Sequence, residues 1–427
     1  MNKINIFFDI KVLIDGFFAK GGERTGVYFV AWNVLRIMQK NKNLNIALAY
    51  PLENEGSASL KKIKKNPFFS QFKFICIGAE SVIASRKQKI ENYRGNKNFI
   101  KMFYNYLCLI KLKLKEKLFY NKKHFENTIN NTEIYLSPYY AIPQKILEQK
   151  NIKNFYILYD TIPIMFIEYF HANLGYNLML DTLNKNIYSF CISQSCKDDY
   201  LKYCGDKLDA SKMFVTHIAT KQNYIPNNDK EELLQVLKKY QVKHNPNNKY
   251  LFSLCSLEPR KNLPFTIVCF LKFIKKHDIQ DLYFYLGGAA WENFESIMAK
   301  TLKDAGELRH KIKLLGYIDD SDVNILYSNS LFFTYLSQYE GFGMPPLEAM
   351  QAGTPVITSN NSSLPEVVGD AAISLDYNDE QAVIKAFEDF YFNEELRKNY
   401  IAKGLERAKM FSWEKCVGLM MEVMGNV

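Results

Sequence analysis

Short apolar runs of strand length alternate with helix-length amphipathic stretches along the chain. The first half contains seven strand candidates, INIFFD, NIALAY, FKFICI, EIYLS, FYILY, SFCIS and MFVTHI. The second half contains six, YLFSLC, LYFYLG, IKLLGY, LFFTYL, PVITS and AISL. Strands this apolar, separated by helices, are typical of parallel sheets that are covered on both faces. The pattern therefore predicts an α/β protein with two doubly wound sheets.

Two polar stretches mark a boundary between these halves. IPNNDK at 225–230 and KHNPNNK at 243–249 flank one predicted helix. We therefore expect a first domain over 1–228 and a second over 229–409. Residues 410–427 contain an amphipathic helix, which we expect to return to the first domain. Doubly wound sheets bind ligands at the carboxyl ends of their strands, so a cleft between the two domains is the expected site.

Composition and cysteine use narrow the class of protein. The 427 residues are 48% hydrophobic and 23% charged, which favours a globular chain over a disordered one. The first eighteen residues are interrupted by four charged side chains, so we interpret them as a strand and not as a signal peptide. Eight scattered cysteines without a Cys-x-x-Cys pair predict reduced, buried thiols in a cytoplasmic protein. We expect neither a bound metal nor a cofactor.

The segment YEGFGMPPLEAM at 339–350 places two acids around the predicted start of a helix. Gly341 and Gly343 allow a sharp turn and the close approach of a ligand to the backbone. One of the two prolines suits the first helical position. A helix start carries about half a positive elementary charge and unpaired N–H groups, so it favours a phosphate.

Glu340 precedes this turn, and we expect Glu348 in the first helical turn, directed back toward the helix N-terminus. A carboxylate has two acceptor oxygens and matches the vicinal diols of ribose and of sugar rings. The pair therefore favours a site that holds both ends of a sugar–diphosphate–nucleoside. The alternative is that Glu340 caps a turn and that Glu348 is a solvated acid stabilising the helix dipole.

A second motif, LEPRKN, places Arg260 and Lys261 between a strand and a helix that begins near Asn262. Basic residues at such a turn neutralise a diphosphate, and their charge helps a nucleoside diphosphate to leave. The alternative is a solvated basic loop.

These two motifs, with LGYIDDSDVNILYSNS between them, resemble the GT-B retaining glycosyltransferases of family 4. The segment SQYEGFGMPPLEAMQAGTPVITSNNSSLPEVVGDAA resembles their Glu-x7-Glu signature, and LEPRKN resembles their basic donor-binding turn. The likeness runs over 250–376 and is diffuse before that. It implies the GT-B fold, with two Rossmann-like domains facing across a cleft, and transfer of a sugar with retained anomeric configuration and without a divalent metal.

The resemblance also implies roles for the matched positions. Glu340 would contact the transferred sugar, and Glu348 the ribose hydroxyl groups. Asp160 occupies the place of an acidic residue after a strand of the first domain, beside Tyr159, which replaces a family histidine and which we expect to pack. The remaining donor-binding positions, with Tyr317 near the base, are Gly26, Arg260, Lys261, Tyr317, Gly341, Phe342, Gly343 and Met344.

One basic segment carries the charge excess of the chain. The net charge is +10, and 86–123 alone contains twelve Lys and Arg against two Glu. Apolar residues follow helical spacing in this segment, with lysines beside them at Lys111, Lys113, Lys115 and Lys117. KLKLKEKL also alternates with period two, so a strand stays open. We predict a membrane-surface element on the acceptor side, and the equal alternative is a solvated excursion packed on its own domain.

Together these features predict a cytoplasmic hexosyltransferase, peripheral on the inner face of the plasma membrane. Its partners would be a nucleotide sugar, a lipid-linked or surface-polysaccharide acceptor and an anionic membrane surface, and not nucleic acid. One alternative is another GT-B enzyme, such as a nucleotide-sugar epimerase or a phosphorylase. A nucleic-acid-binding module built on the basic segment is a further alternative, and it would show strongly salt-dependent binding.

Overall fold

The computed structural model describes residues 3–17, 26–78, 80–95, 98–119, 122–166, 174–221, 224–288 and 294–427. Two compact units divide the chain. The first comprises Met1–His217 and Trp413–Val427, and the second comprises Ile218–Ser412.

The first unit is built on a seven-stranded parallel sheet. Its strand order is β3-β2-β1-β4-β5-β6-β7, so the chain starts in the interior, steps to one edge and then returns to build the other half. The strands are β1 Ile4–Asp9, β2 Leu44–Tyr50, β3 Lys73–Cys76, β4 Ile134–Ser137, β5 Lys153–Leu158, β6 Tyr188–Cys191 and β7 Met213–Val215. All seven predicted strands of the first half are confirmed, and the topological switch point lies between β1 and β4.

The second unit repeats this plan with six parallel strands in the order β10-β9-β8-β11-β12-β13. The strands are β8 Lys249–Leu254, β9 Leu282–Gly287, β10 Ile312–Gly316, β11 Phe332–Tyr335, β12 Val356–Ser359 and β13 Ile373–Leu375. All six predicted strands of the second half are confirmed. The switch point of this sheet lies between β8 and β11, which pair through Phe332 with Leu251 and Phe333 with Phe252.

Helices connect the strands in both units. Those of the first unit are α1 Lys11–Gly16, α2 Gly26–Met38, α3 Ala58–Lys65, α4 Glu80–Gly95, α5 Phe99–Phe119, α6 Lys122–Ile129, α7 Gln144–Leu147, α8 Ile162–Met165, α9 Leu174–Thr182, α10 Gln194–Cys204 and α19 Trp413–Asn426. Those of the second unit are α11 Lys230–Lys239, α12 Leu263–Lys276, α13 Phe294–Asp304, α14 Asp320–Ser328, α15 Met344–Gln351, α16 Leu364–Val368, α17 Glu380–Phe392 and α18 Glu394–Ala408.

The segment before α11 already belongs to the second unit. The backbone N–H and C=O of Ile225 both bond to the Asn324 side chain on α14, at 3.1 and 3.0 Å. Helix α11 then begins at Lys230 and is capped by Asp229, whose carboxylate accepts the N–H groups of Glu231 and Glu232. The bonds to Asn324 tie the polar stretch that starts at 225 to α14 of the second unit.

The last helix, α19, belongs to the first unit. Its apolar residues are buried, and it packs on α2. The Cys416 thiol donates to the carbonyl of Thr216, just after β7. An amphipathic helix needs an apolar surface to cover, and the first sheet's helical layer supplies it.

Candidate functional site

The two sequence motifs meet at the switch point of the second sheet. Strand β8 leads into a 3-10 turn at Pro259–Lys261, and β11 leads into the segment that precedes α15. Neighbouring parallel strands end at the same edge of a sheet, so the two connections lie side by side. This places the basic turn against Glu340.

Four side chains form a buried cluster at this edge. Lys261 Nζ lies 2.6 Å from Glu340 Oε1, and Arg260 Nη1 lies 3.1 Å from the same oxygen. The Tyr335 hydroxyl accepts from Lys261 at 2.8 Å and donates to Glu340 at 2.9 Å. All four residues are between 4 and 8% exposed. The alternative of a solvated basic loop is therefore wrong, because both cations are buried and paired.

Glu258 completes the cluster from within the basic turn. Its Oε1 lies 2.6 Å from Arg260 Nη2 and 3.9 Å from Lys261 Nζ, and it accepts the Ser256 hydroxyl at 2.9 Å. Two carboxylates thus balance two cations. Sequence reasoning assigned no role to Glu258 or Tyr335, although Glu258 stands in LEPRKN and Tyr335 lies in the predicted strand LFFTYL.

The cluster keeps Glu340 ionised. Burial by itself raises the pKa of this carboxyl, but Arg260 and Lys261 outweigh that effect and lower the pKa to about 2. Glu340 is therefore a carboxylate at neutral pH, able to accept hydrogen bonds from hydroxyl groups.

The turn after Glu340 is held by a second loop. Ser362 Oγ accepts the backbone N–H of Glu340 at 3.0 Å, and the Ser363 hydroxyl lies 2.9 Å from the Glu340 carbonyl and 2.7 Å from the Phe342 carbonyl. Gly343 has a φ of 113°, where a Cβ would stand 2.9 Å from Leu364 Cδ2. Sequence reasoning missed both serines. They lie in the polar stretch SNNSSLPE after β12, which could have indicated a loop able to hold the turn.

Helix α15 begins one or two residues earlier than predicted. Met344 is its first residue, so Pro345 and Pro346 take the second and third positions, and the prediction of a proline at the first position is wrong. Glu348 is the fifth residue, so its expected place in the first turn is also wrong. The cause is Gly343, whose left-handed backbone serves as the N-cap and lets the helix start directly after it.

Glu348 lies in an environment unlike that of Glu340. Its side chain is buried at 4% exposure, and Oε2 accepts the Tyr327 hydroxyl at 3.0 Å. Burial raises the pKa of Glu348, and Lys221 and the hydroxyls of Tyr327 and Tyr224 offset part of that rise. The alternative of a solvated first-turn acid is wrong for this residue.

The other predicted positions lie on separate elements. Tyr317 follows β10 and is 41% exposed. Gly26 is the first residue of α2, and the loop at 18–25 before it lies outside the described residues. Asp160 follows β5, and its Oδ1 accepts the Ile162 N–H at 3.2 Å. Tyr159 packs its ring on Tyr139, with centroids 6.0 Å apart. The ligand roles of these residues stay predictions.

Within the described ranges, no group of three or more His, Cys, Asp or Glu side chains is arranged to hold a metal ion.

The basic segment forms three helices, α4, α5 and α6, so the strand alternative for KLKLKEKL is wrong. Helix α5 packs on α4 along an inner face. There Asn105 accepts from Arg86 at 2.7 Å, and Leu112 packs against Leu52. The opposite face of α5 carries large apolar side chains that are 46 to 85% exposed: Phe99, Ile100, Phe103, Tyr104, Tyr106, Leu107, Ile110 and Leu114. We call these eight residues the apolar stripe.

The four lysines of this segment are not equivalent. Lys111 and Lys113 are exposed beside the apolar stripe. Lys115 is half-buried and donates to the Glu55 carbonyl at 2.8 Å, so it is engaged with its own unit. The side chain of Lys117 lies outside the described residues. Of the helices described in the structure, none has the length and apolarity needed to cross a bilayer.

Residues 236–407 match the protein family Glycosyl transferases group 1. The range contains the basic turn, Glu340 and Glu348. The match confirms the resemblance to glycosyltransferases that the motifs indicated. The chain is 36% identical over 207 residues to O-antigen chain mannosyltransferase B of Escherichia coli, covering 48% of this chain and 52% of that one. It is 29% identical over 126 residues to the phosphatidyl-myo-inositol mannosyltransferase of Mycobacterium leprae, covering 29% and 34%. The chain thus spans about half the length of the first relative and a third of the second.

Two solved structures align with nearly the whole chain. A glycosyltransferase from Rickettsia africae aligns with a TM-score of 0.61 at 17% identity, covering 100% of this chain and 99% of that one. Anabaena HepE, solved with UDP and glucose, aligns with a TM-score of 0.66 at 12% identity, covering 99% and 100%. At these identities the likeness concerns the fold. It confirms the expected class, GT-B with two doubly wound domains and a C-terminal helix.

Proposed function

We propose that this chain, whose residues 236–407 match the family Glycosyl transferases group 1, is a retaining hexosyltransferase. It would move a hexose from a nucleoside-diphosphate sugar to a lipid-linked or surface-polysaccharide acceptor. The observation that carries the proposal is the buried cluster of Arg260 and Lys261 with Glu340 at the switch point of the second sheet. Two relatives named mannosyltransferases make mannose the first hexose to test.

Each group of the site has a role in this reaction. Arg260 and Lys261 would bind the diphosphate and stabilise the charge that grows on it as it leaves. Glu340, ionised at neutral pH, would accept hydroxyl groups of the hexose, and Glu348 those of the ribose. The bond from the anomeric carbon to the diphosphate oxygen breaks, and a bond to the acceptor oxygen forms. The acceptor proton moves to the departing phosphate, so no protein nucleophile is needed.

A nucleotide screen tests the donor site directly. UDP, GDP, ADP, CDP and dTDP are added to the whole chain, and its thermal unfolding is followed. A diphosphate at one hundred times its Kd stabilises the folded state by about 2.7 kcal/mol. Absence of any stabilisation by all five contradicts the proposal.

Product analysis then tests the reaction. GDP-mannose and UDP-glucose are incubated with and without a lipid-linked glycan acceptor, and the anomeric configuration of the product is read by NMR. Transfer with retention supports the proposal. Conversion of the donor without an acceptor identifies an epimerase instead, and dependence on inorganic phosphate identifies a phosphorylase.

We further propose that α5 docks the enzyme on an anionic membrane, where a lipid-linked acceptor would lie. The apolar stripe leaves eight large side chains exposed on one helix, which is unusual for the surface of a monomer. Lys111 and Lys113 border it, and an amphipathic helix with basic residues beside an apolar face is typical of elements that lie in the bilayer interface. Inner residues of α5 anchor the helix to its own unit, so the stripe is held outward. We assign the acceptor to this first unit.

A further inference from the structure

Glu258 holds both cations of the proposed donor site, although it is neither of the two acids assigned to the donor. It lies on the basic turn itself, two positions before Arg260, and it is 4% exposed. Its carboxylate is 2.6 Å from Arg260 Nη2 and 3.9 Å from Lys261 Nζ. The Ser256 hydroxyl donates to the same oxygen, so the orientation of the carboxylate is determined within the turn.

Charge at this edge of the sheet is balanced before any ligand arrives. Arg260 and Lys261 contribute two positive charges, and Glu258 and Glu340 contribute two negative ones, all within 4.0 Å contacts. A buried cation that loses its counter-ion is strongly destabilising. A diphosphate brings at least two further negative charges to the same cations, and it must do so beside the carboxylate of Glu258.

We propose that Glu258 is a fixed counter-ion and positioning residue of the donor site. It balances the charge of Arg260 and Lys261 and orients their side chains before the donor binds. Its negative charge also weakens the binding of the nucleoside diphosphate that the reaction releases. Interactions that bind the nucleotide sugar and the nucleoside diphosphate product equally strongly would slow product release without accelerating sugar transfer. Weakening these shared interactions therefore favours turnover. This inference rests on the proposed donor site.

Replacing Glu258 with Gln distinguishes a counter-ion from a residue that positions its neighbours through hydrogen bonds alone. Gln keeps an oxygen that can accept from Arg260 and Ser256, and it removes only the negative charge. If Glu258 acted only through hydrogen bonds, Glu258→Gln would leave the diphosphate affinity unchanged or lower it. If Glu258 acts as a counter-ion, Glu258→Gln should instead raise the diphosphate affinity. Without the Glu258 charge the folded protein contains an uncompensated cation, and a bound diphosphate compensates it, so the affinity rises.

The test uses the full chain and inorganic pyrophosphate, which has no base and no sugar. Titration calorimetry compares wild type, Glu258→Gln and Glu388→Gln at low and moderate salt. Glu388 is a matched control, because it is a carboxylate of the same unit that pairs with the exposed Lys276. We expect Glu258→Gln to melt at a lower temperature without ligand and to bind pyrophosphate roughly tenfold more tightly at low salt, with a steeper salt dependence. Glu388→Gln should match wild type.

Pyrophosphate affinity of Glu258→Gln that equals or falls below that of wild type overturns the assignment. If Glu258→Gln does not fold alone, refolding in millimolar pyrophosphate supports it, and failure to refold there overturns it. Glu258→Asp keeps the charge and should bind pyrophosphate about as wild type does. Wild-type protein that binds neither pyrophosphate, GDP nor UDP would instead reject the donor site itself.

Discussion

Lys261 Nζ lies 2.6 Å from Glu340 Oε1, although the two residues are 79 positions apart in the chain. Their contact follows from the adjacency of β8 and β11 at the switch point of the second sheet. Because both groups are buried, neither can lose its partner without leaving an uncompensated charge. The site and the stability of the second unit are therefore linked.

Glu340→Gln should lower the free energy of unfolding at pH 7 by about 3 kcal/mol, since the pKa of Glu340 is about 2 against an ordinary 4.5. The sign follows from the depressed pKa. Ionised Glu340 stabilises the folded state fully above pH 4.5, and this stabilisation is lost as the pH falls through 2. Urea unfolding of both proteins should show their difference shrinking between those values. A difference that does not change with pH contradicts the prediction.

Lys261→Ala should lower kcat as well as raise the donor KM, because charge that stabilises a departing diphosphate acts most in the transition state. Loss of such a group costs roughly a hundredfold or more in kcat. Steady-state kinetics with donor and acceptor provide the measurement. Lys272→Ala is the control, because Lys272 lies on α12 in an exposed pair with Glu380. Wild-type constants in Lys261→Ala would show that the cluster serves the fold alone.

Glu348→Gln should weaken the binding of free nucleoside diphosphate by roughly 1–3 kcal/mol, the value of a hydrogen bond to a charged group. Its effect on stability should be opposite to that of Glu340→Gln. Burial raises the pKa of Glu348, so ionisation above the ordinary value of 4.5 costs folding free energy, and the amide avoids this cost at pH 7. Calorimetry and urea unfolding test the two parts. Unchanged nucleotide affinity in the folded variant would reject the ribose role.

Gly343→Ala should destabilise the second unit by about 1–3 kcal/mol and weaken diphosphate binding, because φ is 113° there and a Cβ would stand 2.9 Å from Leu364. Gly418→Ala on α19 is the matched control. A Cβ at Gly418 meets nothing within 4 Å, so this change should be neutral or stabilising. Thermal unfolding with and without nucleotide compares them, and equal effects of the two substitutions would contradict the prediction.

Charge reversal of Lys111 and Lys113 to Glu should release the protein from anionic vesicles while leaving nucleotide affinity intact. Each lysine near such a surface adds about 1 kcal/mol of attraction. Lys115 is omitted, because it donates to Glu55 within its own unit. Sedimentation with vesicles is measured at 0.01 M and 0.15 M salt, where the Debye length is about 30 and 8 Å. Activity on a lipid-linked acceptor should drop, and activity on a short soluble acceptor should survive.

Lys300→Glu with Lys303→Glu, on exposed positions of α13, applies the same charge change elsewhere and should leave vesicle binding as in wild type. Replacing Phe103 and Leu107 of the apolar stripe with Ser should also weaken binding, and this loss should depend little on salt. Wild-type protein that stays in the supernatant at both salts would reject the membrane proposal.

Much of the fold was readable from local pattern. All thirteen strands that the structure describes were predicted, because apolar runs of strand length separated by helical stretches are a strong signal for buried parallel sheets. The two motifs also pointed to Glu340, Arg260 and Lys261 without any structure. Each motif combines residues that favour a turn with charged side chains in a few consecutive positions. Such a local combination can be identified from the sequence alone.

Details of backbone and exposure were less accessible to sequence reasoning. Helix α15 starts at Met344 because Gly343 adopts a left-handed conformation, which residue type allows but does not require. Lysines at alternate positions of α5 looked alike, yet the packing of the helix turns Lys115 toward Glu55 and leaves Lys111 exposed.

The sequence by itself determined the alternating α/β architecture, the candidate site residues Arg260, Lys261, Glu340 and Glu348, and the basic character of 86–123. Only the tertiary structure decided that Glu258 and Tyr335 join Lys261 and Glu340 in one buried cluster, and that Glu348 is buried against the Tyr327 hydroxyl. The reason is physical. Hydrophobic periodicity reports which face of an element is buried, whereas an ion pair between residues on different strands depends on strand order, and strand order is a property of the whole sheet.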